Sequence, residues 1–226
     1  MGTRYIIRGR ISDGKFREIL RLFAEDLEAV KVARLTRVSR PSINRIFLAL
    51  RERMAELCEE ERRLDGVVEV DESYFGPRRV RGKRGRGAGR KIPVIGLLKR
   101  GGKVYTDILD DVSRNSLEAA IQGRVEPGST IHTDGFKSYD GLVDLGLFKH
   151  HRIHHHRDEF ARGANHINGI ESFWGLAKVR FARLRGIPRR TFYLHLKEAE
   201  FRFNHRHENL FQILLKSVRN RPLKLS

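Results

Sequence analysis

With 226 residues and 26.2 kDa, the chain is long enough for one large domain or two small ones with a real core. Lys and Arg number 46 against 28 Asp and Glu, and the resulting +18 exceeds what solvation needs, which points to a polyanionic partner. The single cysteine, Cys58, excludes an intrachain disulfide and any Cys-based zinc ribbon or finger, and 39% hydrophobic residues exclude wholesale disorder. The longest apolar run, residues 92–98, is far short of a spanning helix, and no basic-then-apolar signal segment is expected. The class expected is therefore a soluble, cytoplasmic, basic protein that handles nucleic acid, with no membrane partner.

The amino-terminal third reads as helices. Over residues 16–29, Phe16, Ile19, Leu20, Phe23 and Leu27 recur at spacings of three and four, giving one apolar face. A second helix is expected over 30–36, and Ser39 suits an N-cap for a third, with Pro41 tolerated in its first turn. Ile43, Ile46, Phe47 and Leu50 stripe that third helix toward a core, while Arg40, Ser42, Asn44 and Arg45 lie opposite. Short helix, tight turn, then a helix opening on polar and basic residues is the helix-turn-helix plan, which sets those residues in a major groove. Arg37 stands at the turn, where such motifs often place Gly. Residues 48–63 continue as a charged helix that connects to the second part of the chain.

The remainder reads as strands and then helices. Residues 66–75 form a β-branched run bounded by glycines, and after it eight basic side chains with four glycines and no acid crowd residues 78–91. Those are Arg78, Arg79, Arg81, Lys83, Arg84, Arg86, Arg90 and Lys91, a stretch suited to lie along phosphates through counterion release. Strands over 92–98 and 103–109 flank Gly101 and Gly102, a hairpin signal. Ser113 caps an expected helix over 115–125, a strand follows over 129–133, then a short helical stretch over 139–145 and a strand over 148–154. Helices over 166–184 and 189–205 close the chain. Three meandering strands, a helix, a strand, a helix, a strand and a helix give an α/β class: a ribonuclease H-like mixed sheet with flanking helices, preceded by a small all-α domain. The boundary is set at residue 65, giving domains 1–65 and 66–226, with net charges of +4 and +14.

Three acids stand out. Asp71 lies inside an apolar strand, which is costly unless something compensates its charge. Asp134 ends another strand, and Glu171 borders the apolar stripe of Ile167, Ile170, Trp174, Ala177 and Phe181. Brought together, three carboxylates repel one another, and a divalent cation relieves that repulsion. Hard oxygen ligands suit Mg²⁺ or Mn²⁺. Lys178 lies two turns beyond Glu171 on the same helix face, where an ammonium suits a phosphate, and Gly175 leaves room between them. Trp174 is read as core rather than as a base-stacking platform. The His150–His156 cluster would be split between two faces of a strand, which favours contact with the DNA backbone or plain exposure over one tight structural zinc site.

These motifs, around Asp71, around Asp134 and from His166 to Lys178, resemble the DDE(K) transposases of bacterial insertion sequences, in particular small members of insertion-sequence family fifteen-ninety-five. The likeness covers roughly residues 66–206, and 36 residues separate Asp134 from Glu171. It implies a ribonuclease H-like catalytic domain in which Asp71, Asp134 and Glu171 bind metal and Lys178 accompanies them. It also implies two divalent ions, about 3.5–4 Å apart in such sites, that clamp the oxygens of an in-line displacement. Implied partners are the element's terminal inverted repeats and target DNA, bound by a homodimer or higher homo-oligomer on the bacterial nucleoid. Larger relatives carry a zinc ribbon that one cysteine cannot supply, so end recognition falls to the helical region. Phe203-Asn204-His205-Arg206 resembles the family's carboxy-terminal signature. The residues alone leave two rivals: a sequence-specific DNA-binding regulator with structural acids, and a stand-alone ribonuclease H-like nuclease.

Overall fold

The computed structural model describes residues 2–61, 63–76, 91–134, 149–153, 167–184 and 186–225. In chain order these form α1 (Asp13–Ala24), α2 (Ala29–Thr36), α3 (Arg40–Glu59), β1 (Val67–Phe75), β2 (Ile92–Lys99), β3 (Val104–Ile108), α4 (Arg114–Arg124), β4 (Thr130–Asp134), β5 (Lys149–Ile153), α5 (Asn168–Arg183), α6 (Arg189–Asn204) and α7 (Leu210–Asn220). The expected helical stretch over 139–145 lies outside the described residues. The chain divides into two compact units, Met1–Glu60 with His205–Ser226, and Glu61–Asn204. The sequence pattern continues the second domain to residue 226, whereas residues beyond Asn204 return to the helical unit.

In the helical unit, α1 stops five residues short of its expected end. Asp26 adopts φ 60°, its N–H bonds the Phe23 carbonyl at 3.0 Å and the Leu27 N–H bonds Leu22 at 3.1 Å, so the carbonyls of the last turn are satisfied by a left-handed turn. At the α2–α3 turn Arg37 has φ 56°, and the Ser39 hydroxyl caps α3 by accepting from Ser42 N–H. A helix beyond residue 205 was not anticipated. Asn209 opens it by accepting from Gln212 N–H, and Leu214, Leu215 and Val218 are buried along one side. Arg53 of α3 fixes α7 from within: its buried guanidinium donates to the carbonyls of Ser217 at 3.2 Å and Arg221 at 2.8 Å, and to Glu56 at 2.8 Å. At the chain start, Thr3 and Arg4 hold the Asp13 carboxyl down to about 2. That contribution to stability is present above the ordinary carboxylate range and fades as pH falls toward 2.

The second unit is a five-stranded sheet in the order β3-β2-β1-β4-β5. β1, β2 and β3 are antiparallel neighbours, whereas β1 with β4 and β4 with β5 run parallel. This is the mixed sheet of ribonuclease H type expected from the order of elements. Val68, Val70, Ile95 and Ile131 form one core with Leu117 and Ile121 of α4. On the other face Phe75, Val94 and Leu98 pack with Ile170, Phe173 and Trp174 of α5 and Phe192 and Leu196 of α6. Gly101, at φ 70°, makes the β2–β3 turn. Two side chains of α6 serve the free edge of β3. Asn204 exchanges two hydrogen bonds of 2.8 Å with the Val104 backbone, and the Glu200 carboxylate accepts from Thr106 N–H at 2.8 Å.

Replacing Arg53 with Ala leaves the Ser217 and Arg221 carbonyls without their guanidinium, and should cost about 2 kcal/mol in urea unfolding followed by helical circular dichroism. A loss below about 0.5 kcal/mol, the range of ordinary surface substitutions, would show that the guanidinium does not hold α7.

Candidate active site

The site begins with the alternation of β1. Val68 and Val70 enter the core shared with α4, so the odd-numbered residues Glu69, Asp71, Ser73 and Phe75 face the side covered by α5 and α6. Asp71 is half-buried in the middle of the strand and pairs in register with Gly96 of β2. On its other side β1 runs parallel to β4, with Val70 beside Thr133. The next residue on each strand is an aspartate. Asp71 and Asp134 thus occupy corresponding positions on adjacent central strands, whose spacing is about 4.8 Å, and Asp134 is the last residue of β4.

Glu171 is exposed in the first turn of α5. That helix has no cap of its own: Ile167 holds the N-cap position and supplies no side-chain acceptor. The missing acceptor comes from the sheet. Glu69, 1% exposed, accepts from the Ile170 N–H at 3.0 Å through one oxygen and from Arg100 Nε at 3.1 Å through the other. Glu171 is therefore the residue after the one tied to β1, and β1 carries Asp71 two positions after Glu69. Two glycines permit this approach. A Cβ at Gly169 would stand 2.8 Å from Glu69 Oε2, and one at Gly96 would stand 2.5 Å from the Trp174 ring and 2.7 Å from Ile170 Cδ1.

Lys178 is exposed and lines a cavity of about 670 Å³ whose other walls include Tyr74, Phe75, Ile92, Phe181 and Phe192. Trp174 is core, edge-on to Phe75 at 5.9 Å and tilted against Phe173 at 5.0 Å. His150 Nε2 shares a hydrogen bond of 2.9 Å with Thr133 Oγ1, next to Asp134 in sequence. His151 follows on β5, and residues 154–156 lie outside the described residues. In the helical unit Arg40, Asn44 and Arg45 are exposed on α3, and Ser42 is half-buried, accepting at 2.9 Å from the Ser39 hydroxyl. Lys91 is exposed just before β2, while Arg78, Arg79, Arg81, Lys83, Arg84, Arg86 and Arg90 lie outside the described residues.

Glu69, Gly96 and Gly169 are not among the residues the sequence pattern singles out. Glu69 carried the same signal as Asp71, an acid in an apolar strand. Gly96, alone in the run 92–98, is the pattern of a close backbone approach.

Residues 63–204 match the ISXO2-like transposase domain. The chain belongs to that family. Membership bears out the resemblance to DDE transposases of insertion sequences, and DNA transposition is the function it carries. An uncharacterized transposase-like protein of Haemophilus influenzae is 44% identical over 102 residues, which are 45% of this transposase and 81% of that protein. A protein in the transposable element ISH50 of Halobacterium salinarum is 29% identical over 154 residues, 62% of this chain and 52% of its own length, so the match spans about half of that relative. Among solved structures, the catalytic core domain of BIV integrase is 10% identical with a TM-score of 0.41, covering 68% of this chain and 95% of that one. No helix among the described residues is long and apolar enough to cross a membrane.

Replacing Gly96 with Ala drives a methyl group into Trp174 and Ile170 and forces α5 off the sheet. The transposase should lose about 1–3 kcal/mol of stability by thermal unfolding, and metal-dependent strand cleavage should fall further than the unfolded fraction explains. Cleavage that falls only in step with unfolding would show that the spacing of α5 from β1 does not set the site.

Proposed function

We propose that this transposase cuts DNA at the ends of its element and joins the freed ends to target DNA, with Asp71, Asp134 and Glu171 as the ligands of a pair of divalent cations, Mg²⁺ or Mn²⁺. The observation that carries this reading is the register of β1 and β4, which sets two aspartates at corresponding positions on neighbouring strands, on the sheet to which Glu69 ties the first turn of α5. The donor set fits the ions, since all three side chains offer hard carboxylate oxygens and the unit around them is strongly basic. When bound, such ions stabilise the attacking and leaving oxygens of a phosphodiester displacement.

The chain's own groups have separate tasks. The three carboxylates fix where a phosphodiester can sit, and the Lys178 ammonium, two turns along α5, offsets phosphate charge beside them. Water attacks phosphorus at the element's end and the 3′ oxygen leaves. That 3′-hydroxyl then attacks phosphorus in the target, one P–O bond forming as another breaks. No side chain becomes covalently attached, so no Ser or Cys nucleophile is needed. Arg40, Ser42, Asn44 and Arg45 on α3 enter a major groove, as α2, a three-residue turn and α3 would place them. The basic residues over 78–91 follow the phosphates. Two element ends must be held together, so the working form is a homodimer or larger assembly on DNA in the bacterial cytoplasm.

The single variants Asp71→Asn, Asp134→Asn and Glu171→Gln should each reduce Mg²⁺-dependent cleavage of a duplex carrying the element's end by about a hundred- to a thousandfold, while binding that duplex as the parent does. The size is that of removing a group on which charge stabilisation in the transition state depends. Near-parental cleavage in any one of them would remove that residue from the site, and products of hydrolysis without joining would identify a nuclease.

A further inference from the structure

The helical unit contains a groove of about 850 Å³ that no motif announced. It lies between the N-terminal segment, the start of α3 and the C-terminal segment. Arg8, Arg10, Arg45 and Lys224 line it together with Ser42, and among the described residues of its wall there is no acid. Four cations gathered from three parts of the chain repel one another, and an anion lodged among them relieves that repulsion.

The segments that present these cations are held in place. Tyr5 stacks on Phe16 at 5.0 Å, and Thr3 and Arg4 both bond Asp13, the latter through Nε at 2.6 Å. Ile6 bridges Leu223 in parallel, with the Ile7 N–H on the Leu223 carbonyl and the Leu223 N–H on the Tyr5 carbonyl, each at 2.8 Å. The same ladder therefore fixes Lys224 beside the segment that carries Arg8. A tight turn comes next, with the Gly9 N–H on the Ile6 carbonyl at 3.0 Å and Arg8 itself at φ 55°. Glycine adopts that conformation without penalty and arginine does not, so the turn carries a cation at a backbone position suited to glycine. Arg8 and Arg10 are both exposed.

We propose that Arg8, Arg10 and Lys224 bind the phosphate backbone of the DNA duplex whose major groove receives α3; this rests on the assignment of α3 to DNA given above. Arg45 is shared, since it stands both in the groove and on the exposed side of α3. A backbone clamp beside a base-reading helix fixes the helix's register and adds affinity without adding sequence preference. The charge balance of the unit agrees: Met1–Glu60 with His205–Ser226 carries 18 Lys and Arg against 10 Asp and Glu.

The test uses the full chain and fluorescence anisotropy on two duplexes, one bearing the element's end and one unrelated, across a KCl series. The triple variant Arg8→Gly, Arg10→Gln, Lys224→Gln should flatten the slope of log K against log [salt] by roughly 2.7, at about 0.9 per lost phosphate contact, and equally on both duplexes. Arg8→Gly alone should flatten it by about 0.9 with an unchanged or higher melting temperature, because the left-handed position suits glycine. That single variant decides the matter if the triple variant melts early. Arg45→Ala serves as the comparison. An unchanged slope in the Arg8, Arg10 and Lys224 variants, with weakened binding in Arg45→Ala, would overturn the clamp and leave α3 on DNA. Parental binding in every variant would overturn both.

Discussion

Much of the catalytic unit depends on where one buried carboxylate finds its partners. Glu69 sits inside the sheet–helix interface, 1% exposed, and an ionised carboxylate there is costly unless hydrogen bonds and opposite charge surround it. Its partners include both: the Arg100 guanidinium on one oxygen and the first-turn amide of α5 on the other. The second is also the positive end of the helix dipole, which favours an anion at that point. The arrangement works in both directions. The helix lacks a local cap and the strand lacks a solvated outlet for its charge, so each resolves the other's deficit. Removing either partner strands the buried carboxylate and is destabilising for that reason.

The consequence is geometric. Helices packed on sheets usually keep their distance through the side chains between them. Here two of those side chains are absent, at Gly96 and Gly169, and the ring of Trp174 with the Ile170 side chain fills the space above β2. Gly96 is also the register partner of Asp71, so a close approach of α5 coincides with the strand position of the acid. Glu171 comes immediately after the tethered amide. The chemistry proposed for the three acids thus rests on a contact that uses none of them.

Local pattern made the strands and the Ser39 and Ser113 caps legible and marked the three acids as candidates, because each depends on residues close in sequence: alternation in β1, hydroxyls before helices, glycines at the β2–β3 turn. The role of Glu69 was not legible, since its partners Arg100 and Ile170 lie 31 and 101 residues away. Leu27 continues the apolar stripe and so predicts a longer α1, yet that leucine belongs to the turn that ends the helix. α7 was missed because its reason to form is tertiary: an 11-residue helix is marginal alone, and Arg53, more than 160 residues earlier, holds it. The return of that segment also redistributes charge. The split at residue 65 left the helical part at +4, whereas the unit that includes His205–Ser226 carries +8 and the catalytic unit +10.

Phe203 and Asn204, at the end of α6, acquire a physical meaning from the same topology. β3 is the edge of the sheet, and an unpaired edge offers its N–H and C=O groups to any other strand. Asn204 bonds both backbone groups of Val104, as a neighbouring strand would, and Glu200, one turn earlier on α6, accepts from Thr106 N–H and hydroxyl. Residues 104 and 106 are alternate positions on the strand, and residues 200 and 204 are successive turns of the helix, so helix and strand periods meet on this edge. Burial pushes the Glu200 carboxyl up, and Lys197, with Nζ 3.2 Å away, counters that push. Phe203 meanwhile packs edge-on against Phe173 of α5 at 5.2 Å. Asn204 therefore covers part of the β3 edge and Phe203 packs α6 on α5 at the end of the second unit, immediately before the chain leaves for the helical one. Phe203 and Asn204 thus serve the frame that carries α5, whereas His205 and Arg206 already belong to the helical unit.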